Sequence, residues 1–136
     1  MSRIYHIKAR LEKVNQGTLR KVLEYLDKKG KIKLLPPNTI VKDYYGRTRT
    51  FKNAIGIIEY KGIQYARNIA VLVENGKLVL KGDFYGKKSV ANKLLSMITD
   101  EYLAMATLDA IKSTLEIGEV KRTEVNGTIR IEVEVQ

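Results

Sequence analysis

The chain has no cysteine and a single histidine, and these two shortages close off much of side-chain chemistry before any motif is sought. Without cysteine there is no disulfide, no thiol nucleophile and no thiolate metal ligand, which fits a reducing compartment. With His6 as the only imidazole, a Ser/His/Asp relay or a histidine metal site has a single residue to build on. Its place in an N-terminal strand reads instead as a packed or half-exposed side chain. Long apolar runs are missing as well: nothing approaches the roughly 18 residues of a membrane span. Met1-Ser2-Arg3-Ile4-Tyr5-His6-Ile7-Lys8 carries charge inside every short apolar run, unlike the hydrophobic segment of a signal peptide. A cytoplasmic protein with no membrane partner is expected.

Acid is scarce in one part of the chain only. Residues 1–88 hold 20 Lys and Arg against 7 Asp and Glu, a balance of +13, whereas residues 89–136 hold 5 against 8, a balance of −3. The net charge of +10 therefore belongs to the first two thirds, and a field of that sign attracts polyanions and speeds their encounter. The remaining composition, 44% hydrophobic and 29% charged over 136 residues, is that of one folded domain spanning 1–136 with enough chain for a core.

Residues Ile4 to Leu11 alternate loosely and read as a strand. Asn15-Gln16-Gly17-Thr18 supplies helix-start chemistry before Leu19, Val22, Leu23 and Leu26, which share one helical face; Lys28, Lys29 and then Gly30 mark the stop. Pro36-Pro37-Asn38 breaks the chain. From Thr39 to Leu80 β-branched and aromatic residues, punctuated at Lys61-Gly62 and Asn75-Gly76, predict three or four antiparallel strands.

Ser89 is the expected cap of a second helix or helix pair, with Ala91, Leu94, Leu95, Ile98, Tyr102 and Met105 near one face and Leu108, Ile111 and Leu115 continuing towards Gly118. Asn126-Gly127 then joins Val120–Val125 to Thr128–Val135 in a hairpin with one dry face. The expected fold class is α+β, in the order β-α-β-β-β-α-β-β: a mainly antiparallel sheet of about five to six strands with two helices packed on one face.

Tyr44-Tyr45-Gly46-Arg47-Thr48-Arg49-Thr50-Phe51-Lys52 is the densest alternation of cations and aromatics. On an extended segment Arg47, Arg49 and Phe51 share one face and Thr48, Thr50 and Lys52 the other. The guanidiniums suit phosphates, and Tyr44 and Tyr45 suit a base; the plainer reading is a solvated strand whose arginines cover its aromatics. Lys87 and Lys88 precede Ser89, where a helix start already favours an anion. The run from Gly82 to Ser89 is one residue short of the spacing of a glycine-rich phosphate loop, so a simple turn is expected.

Asp43 and Glu59-Tyr60-Lys61 match the sparse D…E-x-K pattern of some metal nucleases, against the plainer reading of a strand ending in a charged turn. Asp83 reads as a turn aspartate. No catalytic residue, metal ligand or cofactor is nominated.

Several of these pieces fall in a familiar order. Ser2…Ile7-Lys8, Tyr45-Gly46-x-Thr48-Arg49, Asp83-Phe84-Tyr85-Gly86, Tyr102 and Gly127-Thr128-Ile129-Arg130 resemble the motifs of a family of uncharacterised proteins known from red-algal plastid and cyanobacterial reading frames, with bacterial and archaeal members. Arg3 departs from the histidine that usually follows the serine in that family. The resemblance runs over nearly the whole chain and implies a one-domain α+β fold. It carries no established activity, and proximity of some members to AAA-class ATPase genes implies an accessory role. The expected function is a non-enzymatic nucleic-acid-binding module using Tyr44, Tyr45, Arg47, Arg49, Lys52, Lys87 and Lys88, with DNA and RNA not distinguished. The alternatives are a protein-interaction adaptor or homo-oligomer, and a metal-dependent nuclease.

Overall fold

The computed structural model describes residues 5–8, 13–61, 68–114, 116–126 and 128–135. The expectations placed on Ser2, Arg3, Ile4, Gly62, Leu115, Gly127 and the residues after Lys8 in the first strand lie outside them, as does the His6 side chain.

Five strands form the central antiparallel sheet, in the spatial order β1 (Tyr5–Lys8), β7 (Lys77–Gly82), β6 (Ile69–Glu74), β5 (Gly56–Glu59) and β2 (Lys33–Leu35). Period-two alternation divides its side chains between two cores. Ile58, Ile69, Val71, Leu78 and Leu80 face one way, and both helices lie over them, α1 (Gln16–Lys28) with Leu19, Val22, Leu23 and Leu26, and α2 (Lys88–Thr114) with Ala91, Leu94, Leu95, Ile98 and Tyr102. Ile57, Ala70 and Leu72 face the other way and are covered by Val41, the first residue of the small hairpin β3 (Val41–Lys42) and β4 (Thr48–Arg49), and by Phe51, just beyond it. The α+β class and the two helices on one face follow the sequence; the cover over the second face is a feature that the periodicity did not reveal.

Helix α1 begins where its chemistry dictates. The Asn15 side chain accepts the Thr18 N–H at 3.0 Å, and the helix gives way to Gly30 at φ +73°. The Tyr102 hydroxyl of α2 accepts the Asn15 N–H at 2.8 Å and so ties the two helices together at that cap. Asn75 and Gly76 both take positive φ, 52° and 77°, joining β6 to β7 as a two-residue turn.

Three expectations change. Among the described residues between the helices there are six strands, because Lys33–Leu35 pairs with β5 directly after α1 and β3 and β4 are only two residues each. Too short for any periodicity, they are fixed by pairing partners. Helix α2 is one continuous helix starting at Lys88, so Ser89 sits in its first turn instead of capping it; the Ala91 N–H already donates to the Lys87 carbonyl at 3.0 Å. The C-terminal strands, β8 (Ile117–Val125) and β9 (Thr128–Val135), pair only with each other, and Ile129, Ile131 and Val133 are half-buried, so the expected dry face is covered in part.

That hairpin is fastened to the helices by charge. Arg122 of β8 bonds to the buried Glu101 of α2, donates to Glu124 at 2.8 Å and lies over the Tyr25 ring of α1 at 5.0 Å, while Lys31 reaches Glu124 at 3.6 Å. Desolvation works against the guanidinium's charge, but the hydrogen bonds it donates to Glu101 and Glu124 outweigh it and push its pKa further up. Those of Arg122, aided by the Lys31 charge, pull the Glu124 carboxyl below its ordinary range. Among the described residues no helix is long and apolar enough to cross a membrane.

Candidate nucleic-acid interface

The chain from Val41 to Ala54 carries five of the seven nominated residues, and it is anchored at both ends. Val41 is fully buried and Phe51 nearly so against the second face of the sheet. Between them the Asp43 N–H donates to the Arg47 carbonyl and the Gly46 N–H to the Asp43 carbonyl, each at 3.0 Å, closing a three-residue loop of Tyr44, Tyr45 and Gly46. Gly46 has φ +80°, the left-handed conformation such a loop needs at its last position. No neighbour lies within 4 Å of where its Cβ would stand, so the demand for glycine comes from the backbone alone.

Two buried carboxylates hold this loop. Asp43 accepts the Arg47 backbone N–H at 2.9 Å and its Nε at 2.6 Å. Desolvation, the largest influence on Asp43, pushes its pKa up, but the backbone and side-chain hydrogen bonds from Arg47, with its charge, prevail and hold it below the usual carboxylate value. Asp83, fully buried just after β7, accepts the Tyr44 N–H at 2.9 Å through Oδ2 and the Tyr85 N–H at 3.2 Å through Oδ1. The next residue, Phe84, is also fully buried but belongs to the core beneath the helices. Asp83 and Phe84 thus serve opposite sides of the sheet before the chain turns outward at Tyr85 and Gly86.

The Asp83–Tyr44 bond spans 39 residues of sequence and joins the two nominated segments. Tyr44 and Tyr45 are 58% and 66% exposed, with ring centroids 5.3 Å apart at an interplanar angle of 76°. Tyr85, 47% exposed, stands two residues before Lys87 and three before Lys88. The Lys87 N–H closes the Tyr85–Gly86 turn on the Phe84 carbonyl at 2.9 Å, with Gly86 at φ +70°. Lys87 is half-buried and Lys88 exposed at the start of α2.

The two arginines cover different rings. Arg47, its side chain 67% exposed, lies 5.8 Å over the Tyr45 ring, whereas Arg49 covers Phe51 at 5.0 Å. Strand β4 holds only Thr48 and Arg49, and Arg47 joins it to the loop while bonded to Asp43. Lys81 Nζ lies 5.6 Å from the same Phe51 ring while bonded to Glu74 at 2.8 Å. Lys52 is exposed in the next turn, which the Ala54 N–H closes on the Phe51 carbonyl.

The residues of the D…E-x-K pattern are used differently. Asp43 is bonded to Arg47, and Glu59 is exposed at the end of β5 opposite Lys33. Among the described residues, no group of three or more His, Asp or Glu side chains is arranged to hold a metal ion. An open groove of about 620 Å³ between α2 and the C-terminal hairpin is lined by both signs of charge, including Lys31, Lys93, Asp100 and Glu124, and so has no preference for an anion.

Sequence reasoning missed the part played by Asp83 and Tyr85. Asp83 did stand out as an acid flanked by Gly82 and an aromatic, but its partner 39 residues away leaves no local signal. Comparison with known proteins adds no family to this geometry: no protein-family model, no curated protein and no solved structure matches the chain.

Proposed function

We propose that this protein is a non-enzymatic nucleic-acid-binding module whose binding surface is the corner formed by the β3–β4 loop and the start of α2. The observation that carries the reading is the Asp83–Tyr44 hydrogen bond, which links Tyr44, Tyr45, Arg47 and Arg49 to Lys87 and Lys88. Exposed cations beside exposed aromatic rings are the combination that meets phosphates and bases together. The cations come from the part of the chain that holds a charge balance of +13, so long-range attraction and local binding act in one direction.

Fluorescence anisotropy with labelled DNA and RNA tests this. Binding at low salt should fall steeply by 200 mM salt, and Arg49→Ala with Lys87→Ala and Lys88→Ala should reduce the slope of log affinity against log salt by about 0.7–0.9 for each phosphate that the variant no longer neutralises. Absence of binding at low salt, or binding indifferent to salt, overturns the proposal.

A second reading, docking of a protein partner or of a second copy, draws on a different region. Leu103 of α2 and Val120 of β8 are exposed, and Ile129, Ile131 and Val133 are only half-buried. The resemblance to a family with members encoded beside AAA-class ATPases suits this reading. Light scattering at increasing concentration tests self-association; a monomer throughout removes the second-copy form of it.

A further inference from the structure

We infer that the corner selects single-stranded over double-stranded nucleic acid, with unstacked bases lying on a platform of Tyr44, Tyr45 and Tyr85 that the Asp83 carboxylate holds in register. The inference rests on the nucleic-acid reading above and narrows it.

Among the described residues six large hydrophobic or aromatic side chains are exposed, and the three tyrosines of this corner make up half of them. Exposed aromatics gathered at one place, with Arg47 over the Tyr45 ring, form a different kind of surface from aliphatic residues scattered singly. The gathering is enforced: one buried carboxylate takes the N–H of Tyr44 on one oxygen and that of Tyr85 on the other. Asp43, gripping Arg47 on the far side of the loop, fixes the second end of the Tyr44–Gly46 turn. The backbone beneath the rings is therefore ordered before any ligand arrives, which reduces the conformational loss on binding.

Ring orientation favours the same ligand. Tyr44 and Tyr45 meet edge to face at 76° and are not closed in a parallel stack, while Arg47 lies over one face of Tyr45 at 5.8 Å. A base in a duplex is sandwiched between neighbours and offers a protein only its edge and its phosphate, so a tyrosine face finds nothing to stack on there. In a single strand every base offers a π face, and stacking tolerates any sequence. Arg47, Arg49, Lys87 and Lys88 serve phosphates of either form; the tyrosines distinguish them.

The test is anisotropy on the full chain with dT15, U15 and a 15-base-pair duplex in the same low-salt buffer. Both single strands should bind at least about tenfold more tightly than the duplex. Tyr44→Ala and Tyr85→Ala should each weaken single-strand binding about five- to tenfold, the range of one base stack, and leave duplex binding and the salt slope unchanged. Tyr85→Phe, which keeps the ring, should bind as the parent does. The chain has no tryptophan, so quenching of tyrosine emission by dT15 reports stacking directly. Equal affinity for strand and duplex, with the tyrosine variants unchanged, overturns the platform but leaves the polyanion-binding module standing. No binding to any of the three probes overturns both.

Discussion

Asp43 with Arg47 and Glu101 with Arg122 are the same chemical pair set to opposite uses. In both, a carboxylate less than 5% exposed is met by a guanidinium. Arg122 lies mostly within the structure, bonded to two glutamates and over Tyr25, so its charge is consumed in bolting the C-terminal hairpin to both helices. Arg47 gives one N–H and its Nε to Asp43 and keeps a side chain 67% exposed beside Tyr45, so its charge still acts outward. The difference comes from what surrounds each carboxylate. Glu101 projects from the middle of a long helix, so its partner has to reach in across neighbouring elements, whereas Asp43 opens a three-residue loop and takes its second donor from the Arg47 backbone N–H at the loop's end. A buried acid can thus either lock two elements together or stiffen a surface turn.

If this contrast holds, Arg122→Ala should be the most damaging of the charge deletions, because it strands Glu101 without its cation. A loss of about 3 kcal/mol in urea unfolding is expected, and replacing both residues by leucine should recover a good part of it. Asp83→Ala leaves the Tyr44 and Tyr85 N–H groups without their shared acceptor. About 2 kcal/mol of stability should go, with faster hydrogen exchange at those two amides and not in the C-terminal hairpin. Gly46→Ala forces a Cβ into the left-handed region with no steric clash to add to it, for a loss of about 1 kcal/mol in the same assay.

Arg47→Ala should have the smallest effect of the four, a loss that is present at neutral pH and shrinks as acid titrates Asp43. The Asp43 pKa is depressed in the folded state, so its contribution is full above the unfolded carboxyl value of 3.8 and is lost as pH falls through the lower folded value. A urea midpoint followed from pH 6 downward should therefore decline in acid in the parent, and less steeply in Arg47→Ala. An unchanged acid limb would place the outward-facing pair outside the stability of the fold.

The parts legible in the sequence are those with long periodic or capped signals. The stripe Leu19, Val22, Leu23 and Leu26 is wholly buried, Asn15 caps as its chemistry demands, and Asn75-Gly76 turns with both residues at positive φ. What was hidden is short or distant. Lys33–Leu35, Val41–Lys42 and Thr48–Arg49 are too brief for any period to register and exist as strands because a partner strand lies beside them.

The amino-acid sequence by itself determined the α+β class, the first helix and its ends, the basic character of the first two thirds and the poverty of thiol and imidazole chemistry, because composition and near-neighbour spacing carry each of these. Only the tertiary structure decided that Tyr44 and Tyr85 belong to one corner, that Asp83 joins them, and that Arg47 faces outward while Arg122 turns in. The Asp83–Tyr44 and Arg122–Glu101 bonds join residues far apart in the chain, and local spacing holds no record of which distant segment a side chain will meet.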